Sequence, residues 1–168
     1  MLGLQNFSPL LAILSLFLAS RISADQIDFT PCPATTAGLV SNVDITPCER
    51  DSGDEPCRFR FGNDYVISLE YTPLVSADQP RTSLEARDDS VDPSKRYPYS
   101  GQSFDACEYT TCPVQGGVSS MYTYTFHTLQ SRFDHLTINA TTSLEGPSFL
   151  CVGFDALFLP SVTGRKLA

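Results

Sequence analysis

The sequence predicts an all-β protein, a sandwich built from about seven short strands. Three observations predict it. Apolar residues recur at every second position in several short runs, the period of a half-buried strand. No window shows a helical period or a helix-capping box. Six cysteines, an even number, lie downstream of a hydrophobic leader, the mark of a disulfide framework in a secreted chain.

The leader comes first. Leu10 to Leu18 is apolar apart from Ser15, and the small residues Ala19, Ser20 and Ala24 follow. The run is shorter than the about 20 residues a bilayer span needs. It reads as a signal peptide over 1–24, with cleavage after Ala24 preferred and after Ser20 the alternative. One domain then runs over 25–159, and 160–168 is expected to be a disordered tail. A first short strand covers Ile27 to Thr30 and stops at Pro31-Cys32-Pro33. Leu39 to Thr46 carries Val43 and Ile45 in phase as a second. Cys48 and Cys57 bracket a polar turn with no core potential.

Gly62-Asn63 turns the chain into the clearest strand of all, Tyr65 to Thr72. Tyr65, Ile67, Leu69 and Tyr71 share one face; Val66, Ser68, Glu70 and Thr72 share the other; Pro73 stops the ladder. From 76 to 96 the chain is crowded with charge, and Leu84 and Ala86 mark a short edge strand within it. Val118 to Thr128 puts Tyr122, Tyr124 and Phe126 on one face. Leu136, Ile138 and Ala140 share a face in the next strand, and Phe149 to Phe158 is a last, almost wholly apolar one.

Charge and motif exclude several functions. The formal net charge is −8, which disfavours nucleic acid and standing attachment to anionic membranes. The usual Cys-x-x-Cys pairs of a zinc site are absent, so the cysteines read as disulfides and no metal is expected. Only His127 and His135 have a side chain suited to neutral-pH base work, and both fall out of phase with the apolar faces beside them. There is no Gly-x-Ser-x-Gly elbow and no phosphate-binding glycine loop. The chain is therefore read as a non-enzyme without a cofactor. Asn139-Ala140-Thr141 is a glycosylation sequon whose Asn139 alternation turns outward.

The order of features carries a resemblance. A first cysteine is followed by Val43-Asp44-Ile45-Thr46-Pro47-Cys48, then Cys57, the Tyr65-to-Thr72 strand and Tyr97-Pro98-Tyr99. The close pair Cys107 and Cys112 leads into Pro113, then Tyr122-x-Tyr124, and Cys151 sits in the last strand. This resembles the ML-domain lipid-recognition family, in particular its sterol-transfer proteins of the Niemann-Pick type C2 kind and the mite group 2 allergens. The resemblance implies an immunoglobulin-like β-sandwich of two antiparallel sheets with an apolar cavity between them. It also implies the pairs Cys32–Cys151, Cys48–Cys57 and Cys107–Cys112. By local alignment it places Tyr99, Leu129 and Phe133 at the mouth of a pocket.

Together with the strand faces, this gives an expected lipid-binding set of Tyr65, Ile67, Leu69, Tyr99, Tyr122, Tyr124, Phe126, Leu129 and Phe133. The function implied is binding and transfer of a sterol or similar neutral lipid. The setting would be a secreted monomer or the lysosomal lumen, with transient contact to a membrane or membrane protein. The alternative is a lipid-recognition module acting in innate immunity through a protein partner. A third reading is an interaction domain whose core is simply filled. An exposed apolar patch away from the mouth would favour a protein partner.

Overall fold

The computed structural model describes residues 24–33 and 37–161. The expected leader falls outside these except for Ala24, and the expected tail except for residues 160 and 161. Ten strands are present: β1 Asp25–Gln26, β2 Thr30–Pro31, β3 Gly38–Thr46, β4 Cys57–Arg60, β5 Asp64–Pro73, β6 Arg81–Arg87, β7 Tyr97–Pro98, β8 Ser120–His127, β9 His135–Thr141 and β10 Ser148–Leu159. The one helical element described is a single 3-10 turn, Ala106–Glu108.

The strands form two sheets. One has four strands in the order β1-β3-β5-β8; the other has the order β2-β10-β9-β6-β7, with β4 alongside β10. Pairing is antiparallel except for β4 on β10. The inner faces alternate as their sequences dictate. Val43 and Ile45 of β3, Tyr65, Ile67, Leu69 and Tyr71 of β5, and Tyr122, Tyr124 and Phe126 of β8 are all buried. Opposite them lie Leu84 and Ala86 of β6, Leu136, Ile138 and Ala140 of β9, and the apolar run of β10.

Three expectations change in detail. The first strand is not one strand. Asp25–Gln26 pairs with β3 in one sheet and Thr30–Pro31 with β10 in the other, and Ile27–Phe29 crosses between them. The segment after Cys57 is a strand in its own right, with Cys57 and Phe59 inward and Arg58 and Arg60 outward. The charged segment 76–96 contains a full seven-residue strand, β6, paired with β9 along its whole length. Its charges point outward or lie in the following loop, where Asp88 and Asp92 bond the backbone two residues on.

Disulfides join Cys32 to Cys151, Cys48 to Cys57 and Cys107 to Cys112. The first spans 119 residues, the longest closed loop and so the largest constraint on the unfolded chain. The sheets also meet tightly where β3 begins. A Cβ on Gly38 would fall 1.8 Å from the Phe149 carbonyl oxygen, so only glycine fits there.

Candidate functional site

The two ends of the sandwich differ. At the end marked by Thr46, Asp64 and His127 the interior is aromatic. Phe59 lies at the centre of that cluster, with ring centroids 4.8 Å from Tyr65, 5.3 Å from Phe126 and 5.2 Å from Phe158. Tyr99 meets Phe126 edge-on at 5.6 Å, and Phe133 meets Phe158 edge-on at 5.6 Å. Tyr99 and Phe133 are 6.3 Å apart. These rings fill the space between the sheets at this end. Edge-to-face and tilted contacts of this kind are favourable but shape-tolerant, since the same rings can rotate and meet new partners.

β8 is the free edge of the four-stranded sheet. Its first half is covered. Thr123 N donates to Tyr109 O at 2.8 Å, and Thr110 bridges Tyr122. Its second half, Tyr124 to His127, pairs with β5 on one side and has no strand on the other. There a depression of about 540 Å3 opens, lined by Tyr124, Phe126, Leu129, Ser100, Gly101 and their polar neighbours.

The opposite rim is the segment leaving β7, and it is held down by side-chain bonds. Gln102 Nε2 donates to the Leu84 and Tyr99 carbonyls, each at 2.8 Å, and Gln102 Oε1 accepts from Leu84 N. One amide thus replaces the strand neighbour that β6 loses where β7 ends. The Tyr99 hydroxyl donates to His127 O at 3.0 Å and accepts from Leu129 N at 3.2 Å. Thr128 ties the loop after β8 to the β4–β5 turn, with Asn63 N donating to its hydroxyl at 3.0 Å.

Five tyrosines point inward, and four hydroxyls are engaged. Tyr65 accepts from Arg60 N, Tyr71 pairs with Thr110, Tyr99 bonds as above, and Tyr122 pairs with Thr82 at 2.9 Å. Among the described residues the Tyr124 hydroxyl has no hydrogen-bond partner. Burial first, then the neighbouring Tyr109 and Tyr99, push its ionisation up to about 12. It is therefore a neutral donor at any physiological pH. Burial likewise raises Tyr71, Tyr99 and Tyr122, opposed in each by its hydrogen bonds. The buried polar residues are Thr82, Thr110 and Thr128, and no charged residue is among them.

The nine residues expected from sequence do not all meet. Tyr65, Tyr99, Phe126 and Phe133 share the aromatic cluster, and Leu129 packs half-buried beside them. Ile67 and Tyr124 are opposite each other across β5 and β8, one step further in. Leu69 and Tyr122 pair deeper still, and the Tyr122 hydroxyl is committed to Thr82. Phe59 and Phe158 pack in the same aromatic cluster, Tyr109 packs on Tyr124, and none of the three was in the expected set. Tyr109 stands 4.9 Å from Tyr124. Alternation over Cys57-Arg58-Phe59-Arg60 was the available signal for Phe59.

The two histidines behave as surface groups of the sheets. His127 Nδ1 is 2.8 Å from Asp64, and His135 Nδ1 is 3.0 Å from Asp155.

Comparison with known proteins agrees with this architecture. The ML-domain family profile matches residues 26–158. A curated relative, an MD-2-related lipid-recognition protein of Manduca sexta, is 26% identical over 117 residues, covering 68% of this chain and 72% of that protein. A crystal structure of a Niemann-Pick type C2 protein from Japanese carpenter ant superposes with a TM-score of 0.65 at 17% identity, covering 79% of this chain and all of the other.

Proposed function

This chain belongs to the ML-domain family, and on that premise we propose that it binds and transfers one neutral lipid, a sterol or a molecule like it. The observation that carries this reading is the depression at the free half of β8, where Tyr124, Phe126 and Leu129 form part of the wall. The lipid enters there, displaces the rings of Phe126 and Phe133 past the rim that Tyr99 holds, and lies between the sheets. Burial of sterol-sized apolar area contributes about 25 cal/mol per Å2, enough for micromolar affinity after the cost of association. The absence of buried charge favours a neutral lipid over a fatty-acid anion, whose carboxylate would have no partner inside. Tyr124 supplies the one inward tyrosine hydroxyl without a protein partner, suited to a guest with a single polar group.

Binding, not catalysis, is the proposed activity. A disulfide-stapled fold of this family fits a secreted chain or one delivered to the lysosomal lumen. Transfer would involve transient contact with a membrane or a membrane protein.

One observation favours the second reading, a recognition module with a protein partner. Leu39, Leu74, Val75, Phe104, Val118 and Leu144 are exposed. All lie toward the end where β3, β8 and β10 begin, away from the mouth. A partner docked there would leave the mouth free.

Fluorescent-sterol binding by wild type and Phe133→Asp tests the first reading. The protein has no tryptophan, so the sterol signal stands on a low background. A charge beside Tyr99 and Phe158 should weaken binding sharply with the circular dichroism unchanged. Equal affinity in both would remove Phe133 from the site. No neutral-lipid binding by wild type would favour the partner reading.

A further inference from the structure

The outer face of the six-stranded sheet carries a trough of about 520 Å3, remote from the lipid mouth. Its floor is built from outward positions of β6, β9 and β10, and Thr30 to Pro33 with the Cys32–Cys151 disulfide forms one wall. Asn139 lines it, in the middle strand of the three.

The trough is lined mostly by apolar surface, with polar groups spaced along it and little net charge. Arg87 pairs with Asp89, and His135 with Asp155. That leaves Arg96 and Glu85, one of each sign. An anion would gain little here. A neutral guest with many hydroxyl groups would gain more, because several donors and acceptors are idle. Among the described residues Thr30, Thr137 and the Arg96 guanidinium have no side-chain hydrogen bond. His135 is held through Nδ1, so its Nε2 is free. The ring lies over Gly153, with Nε2 2.5 Å from where a Cβ would stand. Any larger residue at 153 would force the imidazole out of this position.

The guest can be covalently tethered. Asn139 opens the sequon Asn139-Ala140-Thr141. Its Oδ1 accepts from Ser148 Oγ at 2.6 Å, which fixes the amide and leaves Nδ2 unused.

We propose that Asn139 carries an N-linked glycan whose first sugars lie in this trough. In the attachment step Nδ2 displaces the lipid diphosphate from the anomeric carbon of an activated oligosaccharide of the secretory pathway and loses a proton. The sugars then bond Thr30, Thr137, Arg96 and His135 Nε2 and cover the Cys32–Cys151 bridge. A second depression, bounded by Phe104 and Leu144, also touches Asn139 and is the competing bed.

The test uses the full chain secreted from eukaryotic cells. Intact mass before and after peptide-N-glycosidase treatment reads occupancy. Thr141→Ser should keep the glycan and Thr141→Ala should lose it. Release from the native protein should be roughly tenfold slower than from the denatured chain, the equivalent of about 1.4 kcal/mol of contact. Arg96→Ala should speed native release and Phe104→Ser should not. An unmodified Asn139 in secreted protein overturns the proposal. So does native release as fast as denatured, or release that responds to Phe104→Ser and not to Arg96→Ala. None of these outcomes bears on lipid binding, which depends on the other side of the sheet.

Discussion

Tyr124 and Tyr99 share a chemistry and differ in what they are free to do. The Tyr99 hydroxyl is spent on the backbone of His127 and Leu129, so it shapes the rim. The Tyr124 hydroxyl is unspent, so it can meet a ligand. Tyr124→Phe should therefore weaken binding of a hydroxylated sterol about fivefold, the worth of one neutral hydrogen bond. Its affinity for the same skeleton lacking the hydroxyl should be unchanged. Equal loss on both sterols would show that the ring, not the hydroxyl, is what matters.

The same residues set an alkaline limit. For Tyr71, Tyr99, Tyr122 and Tyr124 the folded state holds the neutral form beyond the ordinary value of 10.0. Their contribution to stability is complete below pH 10 and is lost as pH rises from there toward 12, through the folded value of Tyr124. Phenolate absorbance should show these four ionising late and together with unfolding. Sequence placed Tyr99 by alignment but did not show what its hydroxyl meets; that follows from the loop geometry after β8, and a loop's course is not written in local periodicity.

Strands were legible in proportion to their length and their isolation from distant partners. β5 alternates strictly over eight residues and its inward set is the one seen. β4 has four residues, and its parallel pairing with β10 joins positions about a hundred residues apart in sequence. Local pattern cannot report such a partner, so Phe59 was missed although it centres the aromatic cluster. In β6 the charges hid an ordinary half-buried strand: Leu84 and Ala86 were in phase all along, and Glu85 and Arg87 needed only to face out. The segment Ile27–Phe29 failed for the opposite reason. It looks like a strand because Ile27 and Phe29 flank Asp28 in alternation, yet it crosses between layers.

Close approach at the element scale gives a graded prediction. Gly38→Ala sets a methyl against the Phe149 backbone, which cannot yield without moving β3 from β10. Gly153→Ala meets only the tip of the His135 ring, which can swing away. The first should destabilise by about 3 kcal/mol or more, the upper range for overpacking, and the second by about 1. Thermal denaturation of the two variants checks the order.

At the scale of the molecule, Cys48–Cys57 ties the end of β3 to β4 beside the other sheet, Cys32–Cys151 clips the chain after β2 to β10 within one sheet, and Cys107–Cys112 closes a short loop. The cysteine pairing was readable from the family likeness and not from spacing, and the proposed mouth rests on alignment and fold together. Leu129, Phe133 and Tyr99 were named from alignment. That the opening lies along β8, because Tyr109 and Thr110 cover just half of its edge, required the fold.

The most direct measurement is cross-linking with a sterol that carries a photoactivated diazirine, followed by mapping of the adducts by mass spectrometry. One sterol per chain should attach, with labels on Tyr124, Phe126, Leu129 and Phe133. Labels confined to Leu74, Val75 and Leu144 at the far end, or no saturable labelling at all, would contradict a neutral-lipid site between the sheets.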